Sequence, residues 1–356
     1  MQLEFNLTYF TIFSLTSFFS TFLIAKYAKL FFSGILLDKD FLKPQAFHKK
    51  PTARIGGLVI LFLFILFVIS FFFISGVFLK DYFTVILFLF FLGFLDDLKI
   101  KINPNIRLLL MLIILLACIN IFSIQISRSG LEFLDFWLKN NIFQTCFILL
   151  CFLFIINGAN LIDGFNGLLG IHFLLINSIF LLINLLNQNE NLSIILFSQI
   201  VIVFSFLLFN FPKAKIFLGD SGSYLLGTLL VLNTIKTHEL NTSLSPFFFA
   251  GVLFYLFYEV FFSFIRKITL KISPLKPDAR HLHMLLYNWL LKSKGIKKPN
   301  YHTSLLLNLT YLLFQIPLFY FQNDGLISRY WFFLLIGLYT VVYLRLYSFY
   351  KKKINI

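Results

Sequence analysis

Two adjacent aspartates, Asp96-Asp97, followed by Leu98-Lys99, are the first residues in the chain whose types and spacing suit chemistry. They close an apolar run over 82–95. A helix C-terminus there would favour cations, by about 0.3–1 kcal/mol each, so a carboxylate pair is out of place as simple capping. Such a pair can handle a metal cation or a proton on an acidic substrate. A second group is Asn157-Gly-Ala-Asn160-Leu-Ile-Asp163-Gly-Phe-Asn166-Gly167. Its Asn157, Asn160 and Asp163 step by three, which puts them on one face of a helical turn. Gly164 and Gly167 permit a break or a close backbone approach. Hard oxygen donors without Cys or His suit Mg²⁺ and exclude zinc.

Three further groups carry charge into apolar surroundings. Lys215-Ile-Phe-Leu-Gly219-Asp220-Ser221-Gly222 opens a helix, where free N–H groups can hold an anion; N-capping by Asp220 or Ser221 would leave the same pattern. His48-Lys49-Lys50-Pro51-Thr52-Ala53-Arg54-Ile-Gly56-Gly57 couples cations to a glycine pair. It reads as a positively charged membrane anchor with a lean toward phosphate binding. Pro277-Asp278-Ala279-Arg280-His281-Leu282-His283 places an arginine between histidines, with no further Cys or His cluster for zinc. A phosphosugar grip fits it better. The following stretch carries Leu285, Leu286, Trp289 and Leu290 at helical spacing, as in an interfacial helix whose stripe serves packing. Glu259 lies inside an apolar run and is either functional or a buried pairing partner.

These groups need a frame, and composition supplies it. The chain has 356 residues, 59% hydrophobic and 13% charged, with 52 Phe. Soluble domains carry roughly 25% charged residues, so soluble globular and disordered classes are excluded. Eleven apolar segments can be drawn: 7–32, 56–79, 82–95, 106–126, 142–159, 167–187, 193–211, 222–236, 246–265, 304–322 and 330–350. The third and eighth are short for a span of about 20 residues. Strand periodicity is absent, so the expected fold is all-α: a polytopic integral membrane protein of about 10–11 transmembrane helices in one domain, 1–356. Cys118, Cys146 and Cys151 fall inside apolar runs and read as core-filling thiols. The N-terminus lacks a basic leader, and residue 7 onward reads as a permanent span.

The formal charge is +15, from 30 Lys+Arg against 15 Asp+Glu. In a soluble protein this would suggest nucleic acid; here it marks sidedness. With the N-terminus outside, only Lys80, Arg128, Lys139, Lys236 and Arg329, 5 of the 30 cations, face outward. The expected topology is therefore N-terminus periplasmic and C-terminus cytoplasmic. Under it the loops 33–55, 96–105, 157–167, 212–222 and 266–303, with all five polar groups, share the cytoplasmic side. That shared side points to a single active site.

The stretches DDLK, NGANLIDGFNG, FLGDSG, KPTARIGG and PDARHLH, in their order, resemble the signature loops of the polyprenyl-phosphate N-acetylhexosamine-1-phosphate transferases, the MraY/WecA superfamily of glycosyltransferase family 4. The resemblance spans about 48 to 283. It implies a bacterial inner-membrane enzyme in which undecaprenyl phosphate attacks the β-phosphorus of a UDP-amino sugar and UMP leaves. By motif position, Asn160 and Asp220 would hold Mg²⁺, with Mn²⁺ as the alternative. Asp96 would deprotonate or orient the lipid phosphate, with Asp97 supporting it. Lys50 and Lys99 would neutralise phosphate oxygens, and Asp163 and Asn166 would lie toward the nucleotide. Arg280, His281 and His283 would hold the sugar-phosphate end. The implied partners are the lipid, the nucleotide sugar and the bilayer, with no nucleic acid and with a homodimer left open.

Two departures refine this. Asn166 stands where bacterial members commonly have Asp, and an amide can hydrogen-bond uracil but not act as an acid or base. His281-Leu282-His283-Met284 replaces the three-histidine run followed by Phe-Glu of the peptidoglycan branch. The expected reaction therefore starts an O-antigen or similar envelope glycan, with the phospho-N-acetylmuramoyl-pentapeptide transferase as the alternative. A polytopic transporter is a distant one, because transporters set ionisable groups near the bilayer midplane.

Overall fold

Apolar runs in a bilayer can satisfy their backbone polar groups only within themselves, and these runs fold as helices. The computed structural model describes residues 2–30, 34–39, 51–100, 102–274, 278–293, 296–297 and 299–354. In chain order the helices are α1 (Gln2–Lys26), α2 (Gly56–Ser75), α3 (Lys80–Asp97), α4 (Pro104–Ile121), α5 (Glu132–Leu138), α6 (Asn141–Ile162) and α7 (Leu168–Leu186). They continue with α8 (Glu190–Asn210), α9 (Gly219–Leu240), α10 (Pro246–Val252), α11 (Phe254–Thr269), α12 (Leu282–Ser293), α13 (Pro299–Tyr320) and α14 (Gly325–Ile354). Among the described residues, eight helices are long and apolar enough to cross a membrane, or nine if α10 and α11 form one broken span. The protein is thus an all-α polytopic membrane protein. Large side chains such as Phe73, Ile121, Leu186 and Ile316 lie exposed on its flanks, as lipid-facing surface requires.

Why α3 and α9 look short in the sequence is now clear. Both sit at the centre of the bundle, packed on each other, and α9 also touches α2, α6 and α7. Nearly every residue of α9 from Gly219 to His238 is buried, including Gly222, Ser223, Gly227, Thr228 and Asn233. A helix surrounded by protein on all sides has no need of lipid-facing Leu and Phe, and small residues let its neighbours approach. The polar residues are satisfied in a closed network. Tyr82 donates to Asn233 Oδ1 at 2.9 Å, Asn177 to Gln199 at 3.0 Å, and Asn233 to Gln199 at 2.6 Å. This ties α3, α7, α8 and α9 together in the apolar interior, where polar bonds fix one register.

Three expectations are corrected. The segment 246–265 is two helices, bent by 74° at the break. The carbonyls freed there do not face lipid: Tyr311 donates to the Val252 carbonyl at 2.9 Å and Gln315 to that of Gly251 at 3.4 Å. The first helix ends at Lys26 instead of reaching residue 32. A small sheet joins β1 (Leu37–Asp38), β2 (Thr52–Arg54) and β3 (Ile216–Phe217). β1 pairs antiparallel with β2, and β2 parallel with β3. Strands of two and three residues are too short for alternation to register in a sequence. The sheet matters because it brings the start of α2 to the start of α9.

The same approach is visible at Gly93. A Cβ there would lie 2.6 Å from the Asp220 carbonyl oxygen, so α9 begins directly on the bare backbone of α3. Gly93→Ala is expected to cost about 1–3 kcal/mol by overpacking. It should lower the thermal unfolding midpoint in detergent and reduce activity. Gly337→Ala, where a Cβ meets nothing within 4 Å, should change neither.

Candidate active site at one end of the bundle

The helix ends that carry the five polar groups meet at one end of the bundle. Asp97, the last residue of α3, is 1% exposed. Its Oδ1 accepts from the Asp220 backbone N–H at 3.0 Å, and its Oδ2 from the Ser221 N–H at 2.9 Å and hydroxyl at 2.6 Å. The carboxylate of one helix thus caps the N-terminus of another, where it also meets the positive end of the macrodipole. Gly219 adopts φ +80, and a Cβ on it would come within 2.6 Å of Asp97 Oδ2, so the turn closes on the carboxylate itself. The structure therefore gives Asp97 a task the sequence did not suggest. It clamps the Gly219–Gly222 turn, with both oxygens occupied by protein donors.

That clamp sets the position of Asp220. Its Oδ1 accepts from Asn160 Nδ2 at 3.0 Å, and the same amide nitrogen donates to Ser223 Oγ at 3.0 Å. The two residues expected to share a metal are side by side. Asp163 caps the C-terminus of α6 just beyond the span. Burial, reinforced by the charge of Asp220 and opposed by Arg54, holds its carboxyl well above the ordinary carboxylate range. Asn157 does not join them; its amide bonds to the Leu153 carbonyl at 2.7 Å and contacts the Met111 sulfur.

Two arginines balance these acids. Arg54, in β2, bonds Asp38 Oδ2 through Nη2 at 2.7 Å and Nε at 3.1 Å, and its Nη1 lies 3.9 Å from Asp97. Burial works against its charge, but Asp220, Asp38 and Asp97 together outweigh it and raise its pKa. Arg107, in the first turn of α4, pairs with Asp96 Oδ2. Asp96 is half-buried beside it, at the edge of the clamp.

The expected phosphate and nucleotide residues are placed less centrally. Lys99 is exposed, and its Nζ donates to the Leu37 carbonyl at 3.1 Å. Asn166 uses its Nδ2 on the Pro212 carbonyl at 3.0 Å, while its backbone N–H donates to Asn300 at 2.9 Å. It holds the 163–167 turn against the 212 loop and α13. Lys50 lies outside the described residues.

The basic loop closes the other side. Arg266 binds Asp278 at 2.7 Å. His281 is buried between Glu259 Oε1, 3.1 Å from Nδ1, and Asp278 Oδ1, 3.3 Å from Nε2. His283 is 0% exposed, stacked 5.7 Å from His281 and edge-on to Phe165 at 5.5 Å. Neither of its ring nitrogens has a hydrogen-bond partner among the described residues. Burial pushes its pKa down to about 3, so the ring is neutral. A Cβ on Gly164 would sit 3.4 Å from its Nε2, which places the ring against the Asp163 turn.

The residues missed by sequence reasoning are Arg107 and Asp38; Asp278 stood in the histidine group without a role, and of the two readings of Glu259 the buried pairing is the one observed. Arg107 had a usable signal: a single cation one turn into an otherwise apolar helix. Among the described residues, no three His, Cys, Asp or Glu side chains converge tightly enough to hold a metal by themselves. Mg²⁺ does not require that, since it commonly takes one or two carboxylates and completes its shell with waters and substrate phosphate. Asp220 with the Asn160 amide oxygen fits that demand, and nothing in the group would suit a softer ion.

Comparison with known proteins adds the family. The sequence profile described as glycosyl transferase family 4 matches residues 80–238. The chain is 28% identical over 272 residues to the undecaprenyl-phosphate alpha-N-acetylglucosaminyl 1-phosphate transferase of Thermotoga maritima, covering 76% of this chain and 78% of that one. It is 34% identical over 224 residues to the phospho-N-acetylmuramoyl-pentapeptide-transferase of Streptococcus gordonii, covering 60% and 68%. The protein of that name from Dictyoglomus turgidum is 28% identical over 303 residues, covering 80% and 91%. Asp96, Asp97, Asn160, Asp163, Asn166 and Asp220 fall within the profile; the histidine loop lies beyond it.

Proposed function

The chain belongs to glycosyl transferase family 4, in the MraY/WecA superfamily, and from that premise we propose that it moves a sugar-1-phosphate from a UDP-amino sugar onto undecaprenyl phosphate. The observation that carries the reading is the juxtaposition of Asp96, Asp97, Asn160, Asp163 and Asp220 with Arg54 and Arg107 at one end of the bundle. A lipid-phosphate oxygen forms a bond to the β-phosphorus of the donor. The bond from that phosphorus to the bridging oxygen breaks, and UMP carries the electron pair away. A polyprenyl-pyrophosphoryl sugar remains in the membrane.

Phosphoryl transfer asks a protein mainly for positioning and charge neutralisation. Bound Mg²⁺ would supply Lewis-acid neutralisation of the pyrophosphate, with Asp220 and Asn160 as its holders. Asp96, oriented by Arg107, faces the lipid phosphate and takes any proton it carries. Arg54 and Lys99 supply positive charge near the phosphates, a role that the family resemblance also gives Lys50, and Asp163 and Asn166 line the nucleotide side. Arg280 and the neutral His283 grip the sugar-phosphate end. Direct displacement is favoured over an aspartyl intermediate, since the lipid phosphate is already anionic and both Asp97 oxygens are engaged. The charge asymmetry supports a site facing the cytoplasm of the bacterial inner membrane.

The donor is proposed to be a UDP-N-acetylhexosamine, for an O-antigen or similar glycan. In the His281-Leu282-His283 run, the Leu282 side chain is buried and its N–H is taken by Glu259 at 3.2 Å, while both His281 ring nitrogens face carboxylates, which leaves His283 as the imidazole of the grip. Identity to the pentapeptide transferases keeps that donor as the second reading. Purified protein with undecaprenyl phosphate, Mg²⁺ and a panel of UDP-sugars should release UMP with a UDP-N-acetylhexosamine. No UMP release with any donor would sink the transferase reading; selective use of UDP-N-acetylmuramoyl-pentapeptide would move it to the peptidoglycan branch.

A further inference from the structure

Glu259 is a buried carboxylate that the transfer chemistry leaves unused. It lies in α11, 1% exposed. Its Oε1 faces His281 Nδ1 at 3.1 Å and accepts from the Leu282 N–H at 3.2 Å, while Oε2 accepts from the Tyr339 hydroxyl at 2.7 Å. Tyr339 belongs to α14, the last helix. One turn further on, Tyr343 donates to the Arg280 carbonyl at 2.9 Å, and the Arg280 N–H reaches Asp278 at 3.3 Å. The backbone from Arg280 to Leu282 is therefore pinned on both sides. No side chain among the described residues is hydrogen-bonded or ion-paired to the Arg280 guanidinium.

Burying a carboxylate costs several kcal/mol that pairing only offsets, and apolar packing would hold these helices together at least as well. A buried charge satisfied by three donors is better explained by the geometry it imposes. We propose that Glu259, held by Tyr339, is a positioning residue of the transfer reaction. It fixes the His281 ring and, through the Leu282 N–H, aims Arg280 and His283 at the phosphosugar part of the donor. The inference rests on the proposed reading of the site. It also makes α14 part of the donor site, although that helix lies outside the family profile.

A role in aiming the donor grip separates from a role in stability by which substrate notices. In Glu259→Gln, and more weakly in Tyr339→Phe, the KM for the UDP-sugar should rise, on the order of ten-fold for Glu259→Gln, the low end of what losing the carboxylate that orients a metal-bound histidine costs. The KM for undecaprenyl phosphate should stay unchanged, and Glu259→Asp should recover part of the loss. A merely structural role would lower the active fraction and leave both KM values alone. Thr340→Val, which removes the 3.2 Å contact to Tyr258 and the 2.8 Å bond to the Ile336 carbonyl within α14 but nothing on the Glu259–His281 pair, should leave the donor KM at its normal value. If Glu259→Gln fails to fold, Tyr339→Phe decides, and an unchanged donor KM in it overturns the proposal. A wild-type protein that turns over no donor overturns the transfer reading and this inference with it. An active wild type with an unchanged donor KM in both variants overturns this inference alone.

Discussion

Asp220→Asn is expected to abolish UMP release while leaving the protein folded. The substitution removes one negative charge and keeps the shape. The backbone N–H of residue 220 would still reach Asp97, as it does at 3.0 Å now, and the Asn160 amide would still find an oxygen acceptor. What disappears is the charge meant to hold a divalent cation on the donor pyrophosphate. Metal neutralisation of a phosphoryl group is worth several kcal/mol, and about 4 kcal/mol is a thousand-fold in rate. The thermal unfolding midpoint in detergent should match the wild type or exceed it, because Asp163 loses a repelling neighbour. UMP release at several Mg²⁺ concentrations, beside a melting curve, makes the comparison. Near-normal turnover in Asp220→Asn would remove Asp220 from the metal site.

The residues that carry this expectation were legible in the sequence for a physical reason. In a chain with only 13% charged residues, carboxylates and amides clustered where apolar runs end are conspicuous, so DDLK, NGANLIDGFNG and FLGDSG stand out without an alignment. Their common sidedness followed from counting cations. How the groups touch was not legible, because the contacts are made between helices far apart in sequence. Asp97 and Asp220 are 123 positions apart and look alike as isolated aspartates. Only the packing of α3 on α9 makes one a cap and turns the other toward Asn160. The three short strands carry too few residues to show a period, and the break after Val252 is stabilised by α13, which nothing near residue 252 announces. Arg107 sits eleven positions from Asp96, and only the turn between α3 and α4 reveals that the two pair.

Asp97 should behave in the opposite way from Asp220, and the contrast tests the clamp. Asp97→Ala would leave the Asp220 N–H, the Ser221 N–H and the Ser221 hydroxyl without their acceptor, and Arg54 without one of its facing charges. Removing one side of a buried charged pairing costs about 3–5 kcal/mol, a large share of a marginal stability. The expected result is poor accumulation in membranes and a much lower unfolding midpoint, with activity lost as a consequence. Asp97→Asn is the finer probe. Its single carbonyl oxygen can serve one side of the clamp, but its NH₂ must then face a backbone N–H, donor against donor, leaving one buried group unpaired at about 1–3 kcal/mol. Its midpoint should fall between those of the wild type and the alanine variant, and added Mg²⁺ should not restore turnover, since the Gly219–Gly222 turn that carries Asp220 has shifted. An Asp97→Asn protein with a wild-type midpoint and no turnover would mean that the Asp97 charge acts on the reacting phosphates directly, and that capping α9 is incidental to its role.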